Sequence, residues 1–587
     1  MIHADKLTFG FSGRYLFRDI SFTLAENSHC ALIGSNGSGK TTLMNLIRDP
    51  EHSLFDGRLT REGAGRIGYV SQFAIREGDQ SVTVYDYLCQ DFHDLEQAIG
   101  EVCMQMESAE DMDALMERYQ QLLDESDAMD ADNYGVNIRK QLKLAELEDK
   151  ADLELECLSG GELKLVQVIR QMLRRPGLLM MDEPDVFLDF ENLNGLRDLV
   201  NAYRGTLLVV THSRYLLAHC FDRIWHLENG DLQEFEGNYT QYTCSRLQKK
   251  IDLKIDLQMA AVADEEEIRR LNEMVERFRE NAEEKIDPQR GRALRSKVSY
   301  LNRLRSRQIK APFVQIRQPE ICLPEVEAAE PGTELLRLED YSLSFEEKLL
   351  EGVSFAVHAG EKVALVGANG TGKTSMLREI WRNQNPAIHF SAEAVPALFS
   401  QLHAEILKEK NTIYQEFLDI GFETHEQVEQ HLQKYCFDPD SLGRRVGDLS
   451  GGEKNLLQLA LLGAGQANLL LLDEPSSHLD TFAQIALEDA IAAYPGAVLM
   501  VSHDFYTIVG CADTILLVEN GTVRLMSARA FRKMIYKKHF SRDYLELELQ
   551  KKDLETRIAR CLEAGDCAEA QQLCDKLSDI VEQMSHS

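Results

Sequence analysis

Two hydrophobic rhythms alternate along this chain. Short unbroken apolar runs, CALI at 30–33, LLMM at 178–181 and TLLVV at 206–210, read as strands buried on both faces. VALV at 363–366, LLLL at 469–472 and AVLMV at 497–501 read the same way. Between them lie helix-spaced stretches such as MDALMERYQQLL at 112–123. Apolar positions at Leu247, Ile251, Ile268, Leu271, Val275 and Phe278 keep helical spacing, and Leu294, Val298, Leu301 and Leu304 resume it after a break holding Asp287, Pro288 and Gly291. That pattern predicts a helical hairpin with a longer arm of roughly 50 Å at 1.5 Å per residue. Two short helices about Gly565 are predicted from Leu547, Leu554, Ile558 and Leu562, then Leu573, Leu577, Ile580 and Met584. Strands alternating with helices predict an α/β fold. No run reaches the ~18 apolar residues of a membrane span, and the opening MIHADKLTFG lacks the regions of a secretory signal, which predicts the cytosol.

The chain repeats itself. LIGSNGSGKTTL around Lys40 returns as LVGANGTGKTSM around Lys373. Ser159 to Ser450, Asp182 to Asp473 and His212 to His503 are each 291 residues apart, whereas Gln72 to Gln401 spans 329. The first copy therefore carries 38 extra residues between its glutamine and Ser159, read as an enlarged helical arm within 73–157. At 587 residues and roughly 150 per domain, several domains are expected: 1–240 and 318–540 as the two copies, 241–317 as the hairpin linker and 541–587 as a helical extension.

Each copy fits GxxxxGK[ST] after a strand and before a helix, the context a phosphate-binding loop requires. In the first copy it comprises Gly34, Ser35, Asn36, Gly37, Ser38, Gly39, Lys40, Thr41 and Thr42; in the second, Gly367, Ala368, Asn369, Gly370, Thr371, Gly372, Lys373, Thr374 and Ser375. Glycines let amides close on phosphate oxygens, the lysines reach the outer phosphates, and Thr41 and Thr374 offer hydroxyls to Mg2+. Asp182 and Asp473, at strand ends, are further magnesium candidates, and Glu183 and Glu474 are placed to polarise an attacking water. Recurrence at the repeat offset makes His212 and His503 candidate phosphate sensors, and Gln72 and Gln401 candidate couplers of magnesium or water. Phe11 and Phe345 are candidates to stack on adenine, with a core role as the alternative. Because both glutamates are present, an ATPase is expected.

The order of phosphate loop, glutamine, LSGGE, DEP and histidine in both halves resembles the ATP-binding cassette superfamily. Two cassettes without a membrane domain, joined by a long charged linker, resemble its ABC-F family over nearly the whole chain. The resemblance implies two α/β cassettes facing head to tail around two ATP molecules. One site then combines Lys40, Asp182, Glu183 and His212 with Ser450, Gly451 and Gly452. The other combines Lys373, Asp473, Glu474 and His503 with Ser159, Gly160 and Gly161. It also implies a linker that meets tRNA and ribosomal RNA.

Charge changes this picture once. The chain has 97 Asp and Glu against 64 Lys and Arg, for a net charge of −33, which by itself argues against a nucleic-acid partner. Yet from Gln289 to Arg317 there are nine basic residues and no acidic one. Arg290, Arg292, Arg295, Lys297, Arg303, Arg305, Arg307 and Lys310 are thus candidate RNA contacts. A second basic stretch runs from Arg524 to Arg542. The expected partner is the ribosome, DNA is disfavoured, and cassette pairing within one chain predicts a monomer. The rival readings are an ATP-binding subunit serving separate membrane permeases, which leaves the arginine-rich linker without a purpose, and a DNA-repair ATPase, which splits a single cassette instead. Two departures from the family pattern, Asp185-Val186-Phe187 after DEP and Ser213 where the second copy has Asp504, predict unequal turnover at the two sites.

Overall fold

A computed structural model describes residues 2–11, 14–52, 55–61, 66–72, 81–106, 112–186, 188–256, 319–326, 330, 332–345, 348–539 and 542–586. The chain divides into two compact units, Met1–Tyr239 with Arg317–Ile535, and Thr240–Ile316 with Tyr536–Ser587.

The first unit holds both copies, each built on a six-stranded sheet. In the first copy β3 (His29–Ile33) lies between β7 (Thr206–Val210) and β8 (Arg223–Glu228). Outward from β7 come β6 (Leu178–Asp182) and β5 (Ile67–Val70), and β9 (Asp231–Glu236) completes the far edge as an antiparallel hairpin with β8. The second copy repeats the order with β14 (Pro396–Phe399), β15 (Leu469–Asp473), β16 (Ala497–Val501), β12 (Lys362–Val366), β17 (Thr514–Glu519) and β18 (Thr522–Ser527). β6, β7, β15 and β16 are buried at every position, which accounts for their unbroken apolar runs. Each fully buried Leu or Val contributes about 1.5–3 kcal/mol. A three-stranded antiparallel sheet accompanies each copy, β1 (Ile2–Phe11) between β2 (Arg14–Leu24) and β4 (Asp56–Arg61) in one, β10 (Glu334–Ser344) between β11 (Lys348–His358) and β13 (Ile388–Phe390) in the other.

Register decides where the chemistry lies. Val210 pairs with both Leu32 and Asp182, and Val501 with both Leu365 and Asp473. Parallel strands in that register end side by side, so the loops after β3, β6 and β7 open on one sheet edge, where ligands of open α/β sheets bind. The same holds for β12, β15 and β16.

The enlarged arm of the first copy is helical, with α2 (Val84–Met106), α3 (Met112–Met129) and α4 (Tyr134–Leu144). Its counterpart has only Ile413–Leu418 and His425–Lys434. Asp91 ties α2 to α5 (Gly160–Leu173), accepting from Arg170 Nε at 2.9 Å and, just past the helix end, from Arg174 Nη2 at 2.6 Å.

The second unit joins the root of the linker to the C-terminus. Residues 240–256 are helical, and Cys244 and Ile251 pack with Leu554, Ile558, Leu573 and Leu577. The last two belong to Cys567–His586 and the others to Arg542–Ala564, helices of 20 and 23 residues rather than the short ones expected. Gln248 and Gln571 exchange amide hydrogen bonds at 2.7 and 3.0 Å. The hairpin tip and the arginine-rich arm, with Arg290, Arg292, Arg295, Lys297, Arg303, Arg305, Arg307 and Lys310, lie outside the described residues.

Candidate functional site

Each phosphate loop is shaped by its own backbone. Gly39 and Gly372 stand at the N-termini of helices Lys40–Arg48 and Lys373–Arg382 with φ of 102° and 91°, a left-handed conformation that favours glycine. A Cβ there would lie 2.6 Å from Leu16 Cδ2 and 2.9 Å from Leu343 Cδ2. Behind them, Lys40 Nζ donates to the Gly34 and Ser35 carbonyls at 2.9 and 3.0 Å, and Lys373 Nζ to those of Gly367 and Ala368 at 2.9 and 2.7 Å. Both ammoniums are buried, and desolvation pulls their pKa values down against the pull of nearby carboxylates.

The strand ends supply buried acids. Thr374 Oγ1 donates to Asp473 Oδ1 at 2.8 Å, and Thr41 bonds Asp182 in the same way. The other oxygens, Asp182 Oδ1 and Asp473 Oδ2, are buried with no hydrogen-bond partner among the described residues. A hydroxyl beside an unsatisfied hard carboxylate oxygen, one strand end from a phosphate loop, fits magnesium. Glu183 and Glu474 follow with φ of 45° and 51°, left-handed values that cost a non-glycine residue about 1 kcal/mol or more and recur at functional sites. Burial pushes Glu183 up to about 7 and Glu474 up to about 8, making them strong bases once ionised.

The two glutamates are held differently. Gln72 Nε2 donates to Glu183 Oε2 at 2.6 Å, while the His212 ring Nε2 is buried without a hydrogen-bond partner among the described residues. In the second copy His503 N donates to Glu474 Oε2 at 3.2 Å and its ring Nε2 lies 3.4 Å from Oε1. Burial lowers both histidines, His503 to about 4, and so keeps them neutral. Gln401 lines the cavity of about 620 Å³ beside Lys373 and Thr374, and Ser159, Gly160 and Gly161 of the other copy line it too.

Ser159 and Ser450 begin their helices with the same capping box. Each hydroxyl accepts from the amide three residues on, Glu162 or Glu453, at 3.3 Å, and each glutamate accepts the serine amide, at 2.8 and 2.9 Å. A cap of this kind contributes about 1 kcal/mol, and it explains the S-x-x-E within LSGGE.

The copies meet through two aspartates that lie outside the repeated motifs. Asp189 Oδ1 caps its own helix by accepting from Asn192 N at 3.0 Å, and its Oδ2 accepts from Asn369 N in the second phosphate loop at 3.1 Å. Asp480 Oδ1 accepts from Phe482 N and Ala483 N, at 3.1 and 2.9 Å, and its Oδ2 accepts from Asn36 N in the first phosphate loop at 3.1 Å. Asn36 Nδ2 also donates to the His478 carbonyl at 2.8 Å, and Gly452 lies so near that a Cβ would sit 2.1 Å from that nitrogen. The visible signal was the Leu-Asp pair recurring at the 291-residue offset. Gly451, the neighbour of Gly452, stands against the His478 ring.

The departures also find their places. Ser213 and Asp504 both cap helices, accepting from Leu216 N at 3.4 Å and Tyr506 N at 2.9 Å, so the exchange keeps the cap. Asp504 adds a charge that receives Arg214 Nη2 at 3.2 Å, and Arg214 also pairs with Glu488. Asp185 accepts from Thr211 Oγ1 at 2.6 Å, and burial raises it to about 6. Phe345, just beyond β10, is 67% exposed, so the alternative of a core position does not hold. Phe11 ends β1, and its side chain is outside what the structure describes, as is Phe187.

A family model described as ABC transporter matches residues 17–186 and 350–477, and a second of the same description matches 225–321. The chain belongs to the ABC transporter family. It is a tandem-cassette ATPase of the ABC-F type, and its cassettes bind ATP. ATP-binding protein Uup of Escherichia coli is 29% identical over 532 residues, covering 87% of this chain and 79% of that one. Energy-dependent translational throttle protein EttA of Haemophilus influenzae is 28% identical over 527 residues, covering 86% and 89%. Among solved structures, the complex of an archaeal ribosomal stalk protein with the ribosome recycling factor aABCE1 aligns at a TM-score of 0.51 and 18% identity over 91% of this ABC-F chain and 92% of the other. That likeness shows the tandem-cassette fold. No helix among the described residues is long and apolar enough to cross a membrane.

Proposed function

We propose that this chain is a two-site ATPase that acts on the ribosome. The observation that carries the two-site reading is the reciprocal bridge from Asp189 to Asn369 and from Asp480 to Asn36. Each phosphate loop is thereby set against the other cassette. The first site then comprises Lys40, Thr41, Gln72, Asp182, Glu183 and His212 with Ser450 and Gly452. The second comprises Lys373, Thr374, Gln401, Asp473, Glu474 and His503 with Ser159 and Gly161.

In this reading the loop amides and the lysine hold the phosphates, while the serine hydroxyl and glycine amides of the facing cassette close on the outermost one. Thr41 with Asp182, or Thr374 with Asp473, would hold magnesium, which would supply positive charge to the phosphate oxygens. Glu183 or Glu474 takes a proton from water as the water oxygen bonds to the terminal phosphorus. The bond to the bridging oxygen breaks, and its electron pair leaves with ADP. ATP thus joins the cassettes, and hydrolysis lets them part.

The ribosomal assignment is supported by a relative named a translational throttle and by the nine-residue basic excess in an otherwise anionic chain. In this reading residues 241–317 are the segment that reaches tRNA and ribosomal RNA, between cassettes at 1–240 and 318–540, in a cytoplasmic monomer. The test is co-sedimentation with ribosomes of a Glu183→Gln, Glu474→Gln double variant in MgATP. Binding at low salt that is lost with ADP is the expected result. A double variant that stays off ribosomes and instead co-purifies with a membrane protein would support the transporter-subunit reading.

A further inference from the structure

Beside the first site lies a buried cation that the motifs do not explain. Lys164, on α5 five residues beyond Ser159, is 2% exposed. Its ammonium donates to the backbone carbonyl of Ser71 and, at 2.9 Å, to that of Gln72. Gln72 is the residue whose amide donates to Glu183 Oε2 at 2.6 Å. A chain of contacts therefore runs from Lys164 through one loop backbone to the glutamate. Lys164 does not line the cavity that holds Glu183, Lys373 and Thr374. Asp182, Glu183 and Asp185 supply the negative charge that balances it.

The repeat provides an internal control. At the 291-residue offset Lys164 becomes Asn455 and Asp185 becomes Ser476, so cation and acid vanish together. Asn455 donates to the Ser477 carbonyl instead. Ser400, which precedes Gln401 as Ser71 precedes Gln72, is held by a neutral amide: its N–H donates to Gln458 Oε1 at 3.1 Å, and Gln458 Nε2 donates to its carbonyl at 3.1 Å. The second glutamate takes its hydrogen bond from His503 N. The first copy has a glutamine, Gln167, at the position of Gln458, so the cation is what it adds, and among the described hydrogen bonds that cation leads to a glutamine on the glutamate.

We propose that Lys164 is a positioning residue for hydrolysis at the first site, anchoring the Ser71–Gln72 backbone so that the Gln72 amide holds Glu183 in one rotamer. This rests on the reading of the first site as hydrolytic. With Oε2 engaged by Gln72, Oε1 is the oxygen left to take the proton of water. Losing the anchor frees both side chains, and small misplacements of a catalytic group cost large factors in rate. Among the described residues the Lys164 ammonium donates to the Ser71 and Gln72 carbonyls and to neither phosphate loop, so ATP binding is spared.

The test uses the full chain with Glu474→Gln, so that MgATP turnover reports the first site. Lys164→Met is expected to lower kcat about 10-fold or more with KM for ATP within 2-fold, and to do nothing comparable in the Glu183→Gln background. Lys164→Asn with Asp185→Ser, which reproduces the neutral pair of the second copy, removes any unfolding due to an unbalanced acid and is expected to stay equally slow. Parental turnover in either variant, a rise in KM at unchanged kcat, or equal losses in both backgrounds would overturn the proposal. A Glu474→Gln parent that itself has no turnover, while Glu183→Gln retains it, would refute the hydrolytic reading of the first site, and the proposal with it.

Discussion

Asp480 lies in the second half of the chain, yet its free oxygen serves the phosphate loop of the first. Replacing it with asparagine separates its two duties. Asparagine caps helices as well as aspartate does, so the bonds from Phe482 N and Ala483 N survive. Its amide has one oxygen, however, and once that oxygen caps the helix the NH2 group faces Asn36 N, donor against donor. The bridge lost is a charge-assisted bond at 3.1 Å, and bonds to charged groups are worth about 1.5–3 kcal/mol, or roughly 10- to 150-fold in an equilibrium constant. Closure on the first phosphate loop should weaken by that factor. The assay is steady-state ATP hydrolysis in two silenced backgrounds. With Glu474→Gln, Asp480→Asn should lower kcat/KM about 10-fold or more; with Glu183→Gln it should have a much smaller effect. Asp189→Asn should show the reverse pattern, because its oxygen serves Asn369. If Asp480→Asn leaves the first site within 2-fold, or strikes only the second, the bridged arrangement is wrong.

Other outcomes follow from single contacts. Gly452→Ala places a carbon 2.1 Å from Asn36 Nδ2 and 2.6 Å from the His478 carbonyl, and should raise KM for ATP at the first site at least about 10-fold. Gly451→Ala, whose nearest neighbour is 3.4 Å away in the His478 ring, should leave KM almost unchanged in the same measurement. Asp91 shows a pH effect: burial would raise its carboxyl, but the hydrogen bonds from Arg170 and Arg174 outweigh this and hold it at about 2. Because the folded value lies below the ordinary ~3.9, its contribution of about 2 kcal/mol is present above pH ~4 and is lost as pH falls towards 2. Asp91→Asn should therefore speed hydrogen exchange in α2 at pH 7, with the difference shrinking through that window. Ending the chain at residue 541 removes the helices that cover Cys244, and maleimide labelling of that thiol should accelerate about 10-fold or more; an unchanged rate would refute the packing.

Much of the fold was legible because its signals are local. The run LLLLD encodes a doubly covered strand together with its terminal acid, and a glycine-rich loop encodes its own conformation. The residues missed act over distance. Asp189 looks like an ordinary helix cap from its neighbours, and only the backbone 180 residues away reveals the use of its second oxygen. Lys164 follows LSGGE as an unremarked helix residue until the fold brings Ser71 beneath it, 93 positions earlier in the chain. Phe345 was undecided between core and adenine in the sequence, and the structure removes the first alternative by leaving it in solvent just beyond β10. The exchange of Ser213 for Asp504 was visible as a departure, but not that both side chains cap a helix while Asp504 alone also receives Arg214.

The packing of residues 240–256 against the C-terminal helices has a consequence for synthesis. Ile251 leaves the ribosome more than 300 residues before Leu554, Leu573 and Leu577 can cover it. During that interval the root of the linker carries an uncovered apolar face, the kind of surface that invites wrong pairing or a chaperone. Residues 542–586 therefore act as a checkpoint on the linker: its root gains a packed base only once they have been made.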